Sequence, residues 1–360
     1  MAPDLPPLVE QPPRAPMRLG VLTGGGDCPG LNAVIRAVVR RELKDYGGEV
    51  FGFHDGWRGV IENRGEELSV LRLRGTLPRG GTILGTSRET PYMIDGGCER
   101  VAEAMADREL DGLIVIGGEG TLSCARSIHD EGFAKVVGVP KTIDNDIGGT
   151  ERTFGFDTAV AIATEAIDRL HTTAESHDRI MVVEVMGRHV GHIATWAGLA
   201  GGATMTLIPE EPFDIVEVCD ALAKRHAAGK YASIVVVAEG ALPIPGTLEI
   251  TEPAVDRYGH KVLGGISHVV AGEIEQRTGF ETRVTILGHT QRGGTPTAFD
   301  RVLCTRFGVG AVDAAHAGHF GHMVAINANQ ISAIPLADAV GDGLKYVPEQ
   351  LWDTANVFFP

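Results

Sequence analysis

The chain has 360 residues, 43% of them hydrophobic and 22% charged, the balance of a water-soluble globular protein of two domains. A formal net charge of -15 argues against non-specific binding to nucleic acid or an anionic membrane, so an anionic substrate would need a locally basic pocket. Five cysteines (Cys28, Cys98, Cys124, Cys219 and Cys304) without Cys-x-x-Cys spacing exclude a disulfide framework and a cysteine zinc site, and point to the reducing cytoplasm.

Residues 1–16 are proline-rich and lack a long apolar core, which reads as a disordered tail rather than a signal peptide or membrane span. No later apolar run is long enough to cross a bilayer. Arg18-Leu19-Gly20-Val21-Leu22 then reads as a buried parallel strand, and the glycine loop Gly24-Gly25-Gly26-Asp27-Cys28-Pro29-Gly30 leads into a helix from about Asn32. The same strand–loop–helix grammar recurs at Leu113–Ile116, Gly117–Thr121 and a helix to about Ile128. Further strands are expected at Lys135–Val139, Ile180–Val185, Ile234–Ala238, Val284–Leu287 and Met323–Ile326, with a helix over Ala159–Leu170. Repeated β-α alternation predicts an α/β fold of doubly wound, Rossmann-like domains with mostly parallel sheets. No Pro/Ser linker marks the boundary, so the chain can cross between domains more than once.

Thr142-Ile143-Asp144-Asn145-Asp146 follows the strand at Lys135–Val139, where parallel sheets place their ligand chemistry. In an extended segment residues i and i+2 point the same way, so both carboxylates can face one site, one as base and one toward a metal–phosphate. The rival interpretation is an acidic turn. Gly117-Gly118-Glu119-Gly120-Thr121 suits a phosphate at a helix N-terminus, with Thr121 capping the helix or bonding a phosphate oxygen. Glu119 beside phosphates implies Mg²⁺ between them. The first glycine loop is not Gly-x-Gly-x-x-Gly, because position 29 is Pro, which argues against a dinucleotide-dependent oxidoreductase. Phosphoryl transfer needs positioned cations, and Arg88, Arg188, Arg283, His289 and Arg292 all stand near expected strand ends. His316, His319 and His322 recur every third residue; Gly318 and Gly321 break the helix that would align them, so they read as a surface helix end rather than a metal site. His189 and His192 flank Gly191 near Arg188 and read as local packing or as support for residues of the site.

Together these segments resemble the 6-phosphofructokinase family, in the right order from about Met17 to past Asn327: Gly25-Gly26-Asp27, Gly117–Thr121, Thr142–Asp146, Val185-Met186-Gly187-Arg188, and Leu287-Gly288-His289 with Gln291-Arg292-Gly293-Gly294. The resemblance implies phosphoryl transfer from ATP to the 1-hydroxyl of fructose 6-phosphate, with pyrophosphate as the alternative donor. It implies a donor-binding domain of 17–155 plus about 291–340, a fructose-6-phosphate-binding domain of about 156–290 plus 341–360, and an active site between them. Asp144 would be the base, Thr142 would position substrate, and Asp146 and Glu119 would serve Mg²⁺–phosphate. Gly25, Arg88, Gly118, Glu119, Gly120 and Thr121 would hold the donor, and Arg188 would steady the transferred group. Met186, Gly187 and Glu239 would grip the sugar; Arg179, Arg283, His289 and Arg292 would bind its 6-phosphate. Arg179 and Arg283 would be lent by a neighbouring subunit, so the family implies an oligomer, typically a tetramer. Two positions bear on the donor. Gly120 leaves room for a nucleotide where pyrophosphate users place Asp, whereas Lys141 is the residue that pyrophosphate users carry. Arg36, Arg40 and Lys230 match parts of the family's effector site, but His171, Ala228 and Thr204 replace expected ligands there, which implies a weak effector response.

Overall fold

The computed structural model describes residues 15–249, 263–341 and 343–358. Residues 1–14 of the expected tail lie outside the described residues. Among the described residues, the strands in chain order are β1 (Arg18–Thr23), β2 (Glu49–Phe53), β3 (Gly65–Glu67), β4 (Gly112–Gly117), β5 (Val136–Thr142), β6 (Phe154–Gly155), β7 (Ile180–Val185), β8 (Met205–Leu207), β9 (Ser233–Ala238), β10 (Thr282–Ile286), β11 (His322–Asn327) and β12 (Gln330–Pro335). The helices are α1 (Leu31–Arg41), α2 (Trp57–Ile61), α3 (Gly97–Asp107), α4 (Glu119–Asp130), α5 (Phe156–His177), α6 (His192–Ala200), α7 (Ile215–Ala227), α8 (Ile266–Thr278), α9 (Ala298–His316), α10 (Leu336–Val340) and α11 (Glu349–Asn356).

The chain divides into two compact units, residues 1–158 with 292–343, and residues 159–291 with 344–360. In the first, the sheet order is β12-β11-β5-β4-β1-β2-β3, with β6 beside β5. Its centre is parallel, and the two edges close with antiparallel pairs, β2–β3 and β11–β12. The central strands are runs such as Leu113-Ile114-Val115-Ile116, almost wholly buried, as expected where helices cover both faces. The second unit holds a parallel sheet in the order β10-β7-β9-β8, whose core includes Val182, Val235, Val237, Val270 and Ile274.

Several expected boundaries move. The strand expected at Lys135–Val139 runs on to Thr142, taking in Pro140 and Lys141. The helix expected over Ala159–Leu170 extends to Phe156–His177, and the strand expected at Val284–Leu287 starts earlier and stops at Ile286. The surface placement of the histidine triplet is wrong for its first member. His316 ends α9 but is 2% exposed: its Nε2 lies 2.8 Å from Glu42 Oε2, and its ring stacks on Tyr46 at 3.6 Å. The short-range glycine pattern correctly ends the helix, yet burial is decided by a carboxylate 274 residues away. His322 instead begins β11.

Candidate active site

In the first unit, the carboxyl ends of β1, β4 and β5 bring three sequence motifs to one corner, because these strands are parallel neighbours. The loop after β1 is held from several directions. Gly24 N–H donates to the Ile116 carbonyl at 2.9 Å, Gly25 N–H to the Ser87 carbonyl at 3.0 Å, and Thr86 Oγ1 donates to the Gly25 carbonyl at 2.6 Å. Arg292 Nη1 donates to the Asp27 carbonyl at 3.2 Å, and a Cβ on Gly26 would come within 2.6 Å of that same nitrogen. A side chain at position 26 would therefore have to displace the Arg292 guanidinium. Gly25 has φ +78°, a conformation that costs glycine little.

The helix that follows β4 starts earlier than expected. Gly118 is its N-cap residue, Glu119 its first residue, and Gly120 and Thr121 lie in its first turn. Thr121 is thus not the cap; its side chain is buried and packs inward. A Cβ on Gly24 would come 2.6 Å from Thr121 Cγ2, and one on Gly117 would come 2.4 Å from Thr121 Cβ. These two glycines are explained by how closely α4 approaches the strands. Gly120 is different: a Cβ there meets no heavy atom within 4 Å. The space beside Gly120 is open, next to the first-turn N–H groups that suit an anion.

The acidic segment departs from the extended geometry on which the shared orientation of Asp144 and Asp146 rested. β5 ends at Thr142, and Asn145 has φ +54°, so the chain turns between the carboxylates. Asp144 N–H donates to Thr142 Oγ1 at 3.1 Å. Asn145 Oδ1 accepts from Thr153 N–H at 3.0 Å, and Thr153 Oγ1 donates to the Thr142 carbonyl at 2.7 Å. A stapled turn thereby fixes the backbone that carries both carboxylates. Burial, with the Glu119 charge nearby, raises the Asp146 carboxyl above the ordinary aspartate range, against the pull of its hydrogen bonds and of Lys141. Asp146 Oδ1 is buried without a hydrogen-bond partner. A buried, orphaned carboxylate oxygen in the field of a second carboxylate is a donor set suited to a divalent cation. Among the described residues no cluster of three or more His, Cys, Asp or Glu could hold a metal, so a cation here would take its remaining ligands from phosphate or water.

Lys141 lies under the glycine loop. It is 3% exposed, and its ammonium donates to the Gly26 carbonyl. Burial holds it below the usual lysine range. Cys28 lies in the same electrostatic neighbourhood, its thiol pushed up to about 12 by burial. Lys141 was singled out in the sequence for its charge; its role as a tether beneath the loop required the fold to bring residues 26 and 141 together. Thr86 and Ser87 were passed over, although they directly precede Arg88, which is exposed.

In the second unit, Met186, Gly187 and Arg188 follow β7. Met186 N–H donates to Gln291 Oε1 at 3.4 Å, and Gly240 N–H donates to the Gly187 carbonyl at 3.1 Å, next to Glu239. Gly187 has φ +142°, and a Cβ there would come 2.7 Å from the Val190 carbonyl. Arg179 Nη2 lies 2.8 Å from Glu281 Oε1, and Arg283 pairs with the same oxygen. Arg179 is the main cause holding the Glu281 carboxyl below its usual range. His289 is exposed in the short helical turn Gly288–Arg292. Arg292, expected with these sugar-phosphate residues, belongs to the first unit and rests on its glycine loop.

Comparison with known proteins bears on this geometry. The phosphofructokinase family model matches residues 18–315. A pyrophosphate–fructose 6-phosphate 1-phosphotransferase of Streptomyces coelicolor is 55% identical over 343 residues, covering 95% of this chain and all of that protein. An ATP-dependent 6-phosphofructokinase of Mycobacterium tuberculosis is 56% identical over 344 residues, with the same coverage. Among solved structures, Pichia pastoris phosphofructokinase in the T-state superposes with a TM-score of 0.79 at 35% identity, covering 97% of this chain. The chain spans 39% of that larger protein's length.

Proposed function

The chain belongs to the phosphofructokinase family, and we propose that it transfers a phosphoryl group from ATP to the 1-hydroxyl of D-fructose 6-phosphate, the glycolytic step that yields fructose 1,6-bisphosphate. It is a phosphotransferase with an alcohol acceptor. The observation that carries the assignment of roles is the stapled turn at Thr142–Asp146, fixed at the carboxyl end of β5 beside the start of α4.

In this assignment Asp144 takes the proton of the 1-hydroxyl as its oxygen bonds to the terminal phosphorus of ATP. The bond from that phosphorus to the bridging oxygen breaks, and ADP leaves. Thr142 orients the acceptor. Gly25, Gly118, Gly120, Thr121 and Arg88 form the donor cradle, where glycine backbone and first-turn N–H groups meet phosphate oxygens. Glu119 and Asp146 would hold Mg²⁺, which neutralises the phosphate charge when bound. Arg188 balances charge on the transferred group. Met186, Gly187 and Glu239 hold the sugar, while Arg179, Arg283, His289 and Arg292 bind its phosphate. Units one and two are accordingly proposed as the donor and fructose-6-phosphate domains.

Support for ATP comes from the open space at Gly120. Lys141, the residue that favours pyrophosphate, has its ammonium engaged by the Gly26 carbonyl, which supplies a reason for it other than donor choice. Pyrophosphate remains the second reading, because relatives of nearly equal identity carry either name. The test is turnover of fructose 6-phosphate by purified protein with Mg–ATP and with Mg–pyrophosphate in parallel. ATP turnover at least tenfold the faster is expected, and turnover with pyrophosphate alone would overturn the donor assignment.

A homo-oligomer, a tetramer by family resemblance, belongs to the same proposal, with Arg179 and Arg283 lent across subunits. So does a weak response to effectors: Thr204 Oγ1 accepts from Ile234 N–H at 3.2 Å and His171 Nε2 lies 2.6 Å from the Gly201 carbonyl, so both serve the local fold. All five cysteines are free, which supports a cytoplasmic location. No helix among the described residues is long and apolar enough to cross a membrane.

A further inference from the structure

The loop that carries Arg188 joins β7 to α6, and its two ends are anchored differently. Its start rests on hydrogen bonds from Met186 N–H to Gln291 and from Gly240 N–H to the Gly187 carbonyl. At its end, Thr195 Oγ1 donates to the Gly191 carbonyl at 2.9 Å, and the Gly191 N–H is held by a carboxylate. Glu210 accepts from Gly191 N–H through both carboxylate oxygens, at 2.8 and 3.0 Å. Gly191 is the N-cap residue of α6, so this carboxylate also stands at the positive end of that helix. Glu210 Oε1 accepts a further bond, from Val347 N–H at 3.1 Å. One residue along, His192 Nε2 lies 2.9 Å from the Lys345 carbonyl. The stretch Lys345–Val347, which returns to the second unit near the end of the chain, is thus clasped to the end of the Arg188 loop through Glu210 and His192.

The fit at this anchor is tight. A Cβ on Gly191 would come 2.4 Å from Ile208 Cβ and 3.0 Å from Glu210 Oε2. A Cβ on Gly240 would come 2.0 Å from the Arg188 carbonyl. The backbone is therefore closely packed at Gly191 and at the Arg188 carbonyl, although His189 between them is exposed. Removing the Glu210 carboxylate would take the acceptor from Gly191 N–H and Val347 N–H and loosen the link between the end of the loop and the returning segment.

We infer that Glu210 is a positioning residue for phosphoryl transfer, holding the Arg188 loop in register by joining it to α6 and to the returning segment at Val347. This rests on the role proposed for Arg188. Glu210 touches no reacting atom; its effect is carried by backbone two to three residues from Arg188.

The test is steady-state kinetics with Mg–ATP and fructose 6-phosphate on Glu210→Ala, Glu210→Gln, Arg188→Ala and the Glu210→Ala/Arg188→Ala pair, with thermal midpoints measured alongside. Small misplacement of a transition-state contact costs rate more than affinity, so Glu210→Ala should lose about tenfold or more in kcat with both KM values within about twofold. Glu210→Gln keeps one acceptor that both N–H groups can share but places an amide N–H donor where the second oxygen faced Gly191 N–H, so it should recover part of kcat. In the Arg188→Ala background the Glu210 change should lower kcat by less than about twofold, because the contact it positions is already gone. A Glu210→Ala kcat equal to wild type would overturn the inference even if Arg188→Ala is inactive, and so would equal losses in the presence and absence of Arg188 where Arg188→Ala keeps measurable activity. Undiminished kcat in Arg188→Ala would instead overturn the role of Arg188 itself. Should Glu210→Ala fail to fold, Glu210→Asp, whose shorter side chain draws the acceptor away from Gly191 N–H, decides by the same measurements: a kcat equal to wild type, or a loss that persists in the Arg188→Ala background, counts against the inference.

Discussion

The two units treat charge in opposite ways. In the first, two charges near the expected chemistry are drawn inward, although Arg88 and Glu119 are exposed: Lys141 lies under the glycine loop on the Gly26 carbonyl, and Asp146 keeps an orphaned oxygen inside a stapled turn. In the second, the arginines expected to meet the sugar phosphate are more accessible, and Arg179 and Arg283 share one carboxylate, Glu281, which is itself partly exposed. A buried, preorganised corner suits a step whose barrier depends on fixed geometry and low local dielectric. A pair of arginines sharing one partly exposed partner suits a ligand that arrives with its own negative charge and replaces that partner. The contrast yields predictions that differ in size.

Loss of the base Asp144 apart, the largest effect is expected at Gly120. Because that position faces open space, Gly120→Asp should fold normally, and an acidic residue in the first turn of α4 suits the helix N-terminus. Its carboxylate should nevertheless repel the nucleotide phosphates, lowering kcat/KM for ATP by about a hundredfold. Unchanged ATP kinetics would refute the steric and charge argument. Next comes Lys141→Met, which keeps the side-chain volume but leaves the Gly26 carbonyl unpaired. A loss of about 1–3 kcal/mol in unfolding free energy is expected from denaturant titration, with activity falling for both donors alike. A fall confined to pyrophosphate would show Lys141 to be a donor selector rather than a tether.

A subtler effect concerns Asp300, buried near the start of α5. Its carboxylate accepts from Gly155 N–H at 3.0 Å, Thr158 N–H at 2.9 Å and Thr158 Oγ1 at 2.5 Å. Burial still pushes it up from 3.8 to about 6. A folded-state value above the unfolded one means that its protonation-linked contribution to stability is present below about pH 4 and lost as pH rises through about 6. The stability difference between wild type and Asp300→Asn should therefore shrink across that window and stay flat above pH 7. A pH-independent difference would contradict the assignment. The smallest effect is expected at the exposed arginine pair. Glu281→Gln should leave the thermal midpoint unmoved and lower KM for fructose 6-phosphate about twofold, by removing a competitor for Arg179 and Arg283. A raised KM would mean that Glu281 orients the arginines instead of competing for them.

Much of this was legible before the fold was known, for physical reasons. Buried parallel strands read as continuous apolar runs, so β1, β4, β7 and β9 could be placed within a residue or so, whereas the polar edge strand Gly65–Glu67 gave no such signal. The Thr142–Asp146 and glycine-loop motifs carried the resemblance that the family comparison bears out. What local sequence could not carry were the long-range partners. His316 is buried by Glu42, Lys141 is tied to Gly26, and Gly191 is held by Glu210. The αL turn at Asn145 likewise broke the extended i, i+2 geometry, while Thr142 and Thr153 hold the backbone that carries both carboxylates.

The central claim is that Asp144, in its stapled turn, is the base. The most direct measurement is the rate of fructose 1,6-bisphosphate formation by Asp144→Asn with Mg–ATP, alongside binding of fructose 6-phosphate to the same variant. The account predicts a kcat loss of about three orders of magnitude with binding retained; a folded variant that turns over within about tenfold of wild type would contradict it.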